Sequence, residues 1–255
     1  MSQYYNPQRT KNIFDPTSPK PFKLSRSKID LFLNCPRCFY FDRRLGVGQP
    51  PGYPFNLNSA VDALLKKEFD VHRAAGTAHP LMKSYKVAAV PFQHERMDEW
   101  RDALRGGVQC VHPETNLLIT GGVDDIWIND QKELHVVDYK ATSKNGEVSL
   151  DAEWQIGYKR QVEIYQWLLR HNNFTVSNIA YFVYCNGDAD KKAFDAKLEF
   201  SIKVIPYEGN DNWIDGALVE LKKCLMQDDL PASGVDCDFC KYREAIKAAE
   251  DVITW

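Results

Sequence analysis

Asp124, Asp138 and Lys140 are the residues in this chain whose types and spacing most readily do chemistry. They lie in a stretch that reads Gly121-Gly122-Val123-Asp124-Asp125-Ile126-Trp127-Ile128, then Asn129-Asp130-Gln131-Lys132, then Glu133-Leu134-His135-Val136-Val137-Asp138-Tyr139-Lys140. Two carboxylates held side by side repel, and at a partly buried site they cost energy unless protonated or neutralised. A hard divalent cation such as Mg²⁺ takes oxygen ligands and removes that cost. A lysine two residues further on can orient an attacking water or offset charge that develops on a phosphate. The plainer reading of the same residues is a solvent-exposed strand end with a salt bridge.

The element that must position them is a β-hairpin. Two apolar runs with β-branched residues flank a polar, turn-like segment. Period-2 alternation puts Asp138 and Lys140 on one face. If Ile128 pairs with Leu134, then Ile126 meets Val136 and Asp124 falls opposite Asp138. That register requires a five-residue connection from Asn129 to Glu133, or a bulge. A one-residue slip sends Asp124 to the other face.

Downstream, 151–171 is a strongly helical segment carrying Ile156, Val162, Ile164, Tyr165, Leu168 and Leu169. Gln161 and Tyr165 are spaced i, i+4 and so stack on one helix face. An uncharged hydrogen-bonding pair there could position a substrate strand or a metal-bound water; alternatively Gln161 packs beside a core tyrosine. Tyr158, Lys159 and Arg160, one turn earlier, offer stacking and phosphate contacts. Lys144, in the loop after Lys140, could also meet phosphate.

Cys35-x-x-Cys38 and Cys237-x-x-Cys240 form a second constellation. Two C-x-x-C units are the usual supply for a tetrahedral thiolate centre. The long gap between them suits a clasp that joins early and late segments of the chain. The other reading is buried thiols without metal. Cys110, Cys185 and Cys224 read as ordinary core residues.

The rest of the chain supplies the frame. Residues 1–23 are polar, hold Pro7, Pro16, Pro19 and Pro21, and read as a flexible N-terminal arm. A short helix follows, with Ser27 as N-cap and Ile29, Phe32 and Leu33 buried. Phe39, Tyr40, Phe41 and Leu45 form an aromatic cluster. A long helix runs from an N-cap at Asn58 to Gly76, with an apolar face of Leu57, Val61, Leu64, Leu65, Glu68 and His72, Phe69 beside it, and Asp62 at its margin. Strands are expected at 85–92, 108–111, 117–120, 179–185 and 194–205, and helices at 94–104 and 212–226.

At 255 residues the chain can bury a sizeable core, and its 44% hydrophobic and 26% charged content is ordinary for a globular protein. No apolar run approaches the length of a membrane span, and the N-terminus lacks a signal peptide's apolar core. Seven cysteines, an odd number, argue against a secreted disulfide framework and for a reducing cytoplasm. The net charge of −3 leaves any nucleic-acid face to local clusters.

Gly121-Gly122-Val123-Asp124, then Val136-Val137-Asp138-Tyr139-Lys140, then Gln161-Val162-Glu163-Ile164-Tyr165 resembles the GxxD…DxK…QxxxY signature of the PD-(D/E)XK nuclease superfamily, in its RecB-like branch. The resemblance extends over most of the chain after Leu24, through the cysteine pairs. It implies an α/β fold with a restriction-endonuclease-like mixed central sheet flanked by helices, here spanning residues 24–255. It implies a Mg²⁺- or Mn²⁺-dependent deoxyribonuclease whose catalytic residues are Asp124, Asp138, Lys140, Gln161 and Tyr165. Metal ligands would be Asp124, Asp138 and the Tyr139 carbonyl, together with Asp62, which stands where relatives often carry a histidine. DNA would be the partner, alongside a helicase or recombination and repair machinery. AddB-type and CRISPR-adaptation relatives set one early and three late cysteines around a [4Fe–4S] cluster. This chain has two and two, so both Zn²⁺ and [4Fe–4S] remain open at Cys35, Cys38, Cys237 and Cys240. A non-catalytic DNA-binding module on the same fold, and a structural protein built on the cysteine clasp, are the competing readings.

Overall fold

The structure is a computed structural model that describes residues 5–52 and 54–252. In order, the elements are β1 (Phe22–Ser25), α1 (Arg26–Asn34), α2 (Pro36–Tyr40), α3 (Asn56–Ala75), α4 (Pro80–Ser84), β2 (Ala89–Pro91), α5 (Met97–Arg101), β3 (Val108–His112), β4 (Leu117–Gly121), β5 (Asp125–Asn129), β6 (Leu134–Thr142), α6 (Ile156–His171), β7 (Ile179–Gly187), β8 (Phe200–Glu208), α7 (Ile214–Met226) and α8 (Asp238–Val252). A five-stranded sheet runs in the order β2-β5-β6-β7-β8, and a three-stranded sheet in the order β1-β4-β3. In the larger sheet only β6 and β7 pair in parallel, and the other neighbours are antiparallel. A parallel pair needs a long crossover, and α6 lies within it. This is a mixed α/β architecture of the restriction-endonuclease-like kind.

The central hairpin has the register that its apolar pattern demands. Ile128 pairs with Leu134 and Ile126 with Val136. The five-residue connection is closed by Asn129, whose N–H donates to the Glu133 carbonyl at 3.1 Å and whose Oδ1 accepts the Glu133 N–H at 2.9 Å. Lys132 takes the left-handed φ of 64° that the turn requires.

Chain contacts divide the molecule into two compact units. One unit comprises Pro54–Cys110 and Thr120–Asp211 and holds the five-stranded sheet. On one sheet face Leu65 and Phe69 of α3 pack against Trp127, Val137, Tyr139 and Val183. The Phe69 ring stacks on Trp127 at 5.5 Å and 17°. Burying each such side chain contributes about 1.5–3 kcal/mol. Alternation then sends Asp138 and Lys140 to the opposite face, toward α6.

The long helix differs in detail from expectation. It starts at Asn56, with Phe55 rather than Asn58 as the flanking residue, and it ends on Gly76 at φ 64°. Its buried face is Leu65, Phe69 and Arg73, whereas Leu57 and Leu64 are exposed. The sheet chose that face, because Trp127 accepts Phe69 and buried Asp125 requires Arg73. The first helix is flanked by Ser25 rather than Ser27. The strand expected over 85–92 is short, Ala89–Pro91, and Leu45 of the aromatic cluster is exposed. The strand expected from Phe194 begins only at Phe200.

The other described unit draws on residues 5–52, 111–119 and 212–252. Here the segment read as a flexible arm is tied down. Phe14 is buried and its N–H donates to the Arg43 carbonyl at 2.7 Å. Arg9 donates to the Gly46 carbonyl at 3.2 Å. Residues 1–4 of that arm lie outside the described residues.

Candidate active site and cysteine centre

Asp124 lies one residue before β5, and four contacts from three elements fix its segment. The Val123 N–H donates to the Trp100 carbonyl at 3.1 Å. Arg101 Nε donates to the Asp124 carbonyl at 3.0 Å. Asp124 Oδ2 accepts the Tyr139 N–H at 3.0 Å, and Oδ1 accepts from Lys66 Nζ at 3.3 Å. The carboxylate therefore stands against the peptide that joins Asp138 to Tyr139. In an extended strand the N–H and C=O of one residue leave on the same side, so the Tyr139 carbonyl faces the Asp124 side too.

The glycines ahead of Asp124 have a steric reason. A Cβ on Gly121 would fall 2.5 Å from Tyr165 Cε1, and one on Gly122 would fall 2.6 Å from Ala103 Cβ. Tyr165 can approach the strand only because Gly121 has no side chain.

Asp138 is fully buried on the α6 face of β6 and is ion-paired with Lys140. Lys140 Nζ also donates to Gln161 Oε1 at 3.4 Å and lies 4.5 Å from the centre of the Tyr158 ring. Gln161 Nε2 donates to the Tyr165 hydroxyl at 3.1 Å. Asp138, Lys140, Gln161 and Tyr165 thus form one connected set. Burial, followed by the Asp138 charge, raises the Tyr158 pKa and keeps the phenol neutral.

Asp62 reaches the site from α3, paired with Lys66 at 2.8 Å. Burial raises the Asp62 pKa, with the nearby Asp124 charge adding to it. Lys66 was not singled out from sequence, although its i, i+4 spacing from Asp62 is legible there. Burial pulls the Lys66 pKa down, but the Asp124 charge and the hydrogen bonds to both carboxylates outweigh it, so the net shift is upward.

Behind the site lies a network that sequence reasoning also missed. Asp125 is fully buried and accepts from Arg73, from Arg101 at 3.2 Å and from the Tyr139 hydroxyl at 2.7 Å. Arg101 and Arg73 share Asp70, at 2.8 and 2.9 Å. Burial, then the Asp125 charge, lifts the Tyr139 phenol well above its ordinary pKa. One arginine, Arg101, therefore links the Asp124 backbone to this buried cluster.

The donor set suits a hard divalent cation. It consists of carboxylate oxygens, and the positions beside them already hold positive charge, from Lys66 at Asp62 and Asp124 and from Lys140 at Asp138. Among the described residues, however, only the four cysteines form a group of three or more His, Cys, Asp or Glu ligand atoms all within 4.8 Å of one another.

In the other unit, Cys35, Cys38, Cys237 and Cys240 converge. Sulfur separations are 3.7 Å for Cys35–Cys240, 3.5 Å for Cys38–Cys237 and 3.7 Å for Cys38–Cys240. A single ion with metal–sulfur bonds of about 2.3 Å gives a tetrahedron edge of about 3.8 Å, which these distances match closely. Cys35 Sγ accepts backbone N–H groups from Gly234 at 3.2 Å and Cys38 at 3.4 Å. Burial alone would raise the Cys35 pKa, but these two donors, with the neighbouring Cys237 and Cys38 thiols, outweigh it and bring the thiol down to about 7. Burial moves Cys38 and Cys240 upward, the latter to about 11. Gly234 has no room for a side chain, since a Cβ would lie 2.0 Å from the Asn34 carbonyl oxygen.

The chain belongs to the PD-(D/E)XK nuclease superfamily, whose family model matches residues 23–245. Among solved structures it is similar to one described as "Crystal structure of SSO0001", at 16% identity, over 87% of this chain and 84% of that one, with a TM-score of 0.42. No curated protein matches the sequence significantly. No described helix is long and apolar enough to cross a membrane.

Proposed function

We propose that this protein hydrolyses DNA phosphodiester bonds with Mg²⁺ or Mn²⁺ held by Asp124, Asp138 and the Tyr139 carbonyl, with Asp62 at the margin of the site. The observation that carries this reading is the Lys140 ammonium, ion-paired to buried Asp138 and 3.4 Å from Gln161 Oε1. A bound divalent cation would lower the pKa of a water and stabilise charge on the phosphate. Asp138, wholly shielded from solvent, keeps its charge focused on that position. Lys140 orients the attacking water and offsets charge on the phosphate in the transition state. Gln161, anchored on the Tyr165 hydroxyl, holds Lys140 in place. Lys66 neutralises Asp62 and Asp124 from the α3 side.

The cysteine centre is proposed as a structural metal site. The sulfur spacing supports one tetrahedral ion such as Zn²⁺, whereas a [4Fe–4S] cluster would require the sulfurs to stand further apart. Metal analysis and absorbance near ~400 nm distinguish the two.

The test is cleavage of single- and double-stranded DNA with and without Mn²⁺ by wild type and Lys140→Ala. Wild-type cleavage that depends on Mn²⁺ and is lost in a folded Lys140→Ala protein supports the reading. DNA binding without cleavage by wild type would make the protein a non-catalytic binding module.

A further inference from the structure

Trp154 is 65% exposed, in the short helical turn Glu153–Gln155 that leads into α6. The turn is held by Gln155, which is buried, accepts the Ala152 N–H at 2.9 Å and donates to the Ser149 carbonyl at 2.7 Å. Trp154 is therefore displayed on a fixed turn. Ile156, beside it, is also exposed. The Trp154 and Tyr158 rings meet edge to face, with centroids 5.4 Å apart and planes at 81°. Tyr158 in turn lies against the Lys140 ammonium at 4.5 Å. Lysine, tyrosine and tryptophan thus form a continuous path from the reactive centre to solvent.

Exposing an indole forgoes the burial that normally stabilises it, and exposed apolar surface beside a polar site marks a binding position. With the two rings perpendicular, Tyr158 covers at most one face of Trp154, and the exposed indole keeps a face for a flat ligand. By way of Tyr158 the Trp154 ring lies no further than about 10 Å from the Lys140 ammonium, within reach of a base that neighbours a phosphate meeting Lys140. In a duplex both faces of that base are already stacked on neighbours. An unpaired base has a face to offer, and base–aromatic stacking tolerates any sequence.

We propose that Trp154, with Tyr158 as its inner support, is a stacking platform for an unpaired nucleobase next to the scissile phosphate, and that it makes single-stranded DNA the preferred substrate. This deepens the nuclease reading above and rests on it. Trp154 touches no reacting atom. Its contribution is to substrate binding and not to the chemical step.

The test uses the full chain and fluorescein-labelled oligothymidylate of about 12 nucleotides, within the usual site size, in buffer without added divalent cation so that binding is read without cleavage. Trp154→Ala is expected to weaken single-strand binding by about tenfold or more, the loss of one stacked base. Duplex binding is expected to change by less than about twofold, within the ordinary scatter of surface substitutions. Trp154→Phe should restore most of the loss. For wild type, oligonucleotides carrying one abasic site should bind more weakly at one position only, and Trp154→Ala should not sense that position. In Mn²⁺, KM for single-stranded DNA should rise in Trp154→Ala while kcat is kept. Equal weakening on single and double strands, or an abasic effect that persists in Trp154→Ala, overturns the platform and leaves the nuclease reading standing. A wild-type protein that neither binds nor cleaves DNA overturns both.

Discussion

Asp124 Oδ2 accepts the backbone N–H of Tyr139 at 3.0 Å, so a carboxylate of the candidate site also completes the hydrogen bonding of a central strand. The two duties separate by substitution. Asp124→Asn keeps an oxygen acceptor and removes the charge, so it should fold with near wild-type stability and lose about 100-fold or more in Mn²⁺-dependent cleavage. Asp124→Ala leaves the Tyr139 N–H without its acceptor and should additionally lose about 1–3 kcal/mol. Urea denaturation of both variants measures the difference. Equal stability losses would show that the hydrogen bond contributes nothing of its own.

Lys66 lies between Asp62 and Asp124, at 2.8 and 3.3 Å, where it does part of the work of a cation. Lys66→Met should expose the repulsion of the two carboxylates and lower Tm in the absence of divalent ions. Adding Mg²⁺ should then raise Tm more in the variant than in wild type, because binding stabilises the folded state by mass action. Thermal scans across a Mg²⁺ titration check this. Identical Mg²⁺ shifts would show that the lysine and the cation do not compete.

At the cysteine centre, Gly234 brings its N–H to Cys35 Sγ only because it has no side chain. Gly234→Ala must displace either the Asn34 carbonyl or that N–H. The purified variant should hold clearly less than one equivalent of metal centre per chain, and outer ligand contacts of this kind typically change metal affinity about 10–100-fold. Elemental analysis after dialysis against a chelator reads the outcome. Full metal content in Gly234→Ala would remove the N–H···S contact from the account.

Asp70 accepts from Arg101 and Arg73. Burial raises its pKa, but hydrogen bonds from Arg101 and then Arg73 outweigh it, and the net shift is downward. A depressed folded-state pKa means that stabilisation is present above the unfolded carboxylate value, about 3.9, and is lost as pH falls through the lower folded value. Wild type should therefore exceed Asp70→Asn in stability at pH 7, and the gap should be smaller at a pH well below the unfolded carboxylate value. The side chain is 43% exposed, so screening keeps the gap to about 1 kcal/mol or less. Urea midpoints at the two pH values test the sign.

The hairpin register was readable because alternation is a local rule. Ile126, Ile128, Leu134 and Val136 admit one pairing that sets them all on one face, and the cross-strand pairs follow it. Gln161 and Tyr165 were readable for a similar reason, since helical spacing alone brings them together. The buried face of α3 was not. Leu57 and Leu64 fit a helical stripe as well as Leu65 and Phe69 do, and what decides between them is Trp127 and Asp125, some sixty positions away. Arg101 was illegible for the same reason. Its role depends on Asp124 and Asp70, which no local period connects to it. The closeness of Cys35 and Cys240 was suggested by chemistry rather than periodicity, because thiolates in two C-x-x-C pairs gain most by sharing an ion.

The order in which the chain is synthesised sets which half can mature first. Every residue of the unit carrying Asp124 and Lys140 has been synthesised once Asp211 has been added, whereas the thiolate centre must wait for Cys240. An elongating polypeptide can thus assemble that unit while Cys35 and Cys38 still lack their distant counterparts. Convergence of the four thiols is then a late event in biogenesis, since Cys35 and Cys38 are made long before Cys237 and Cys240.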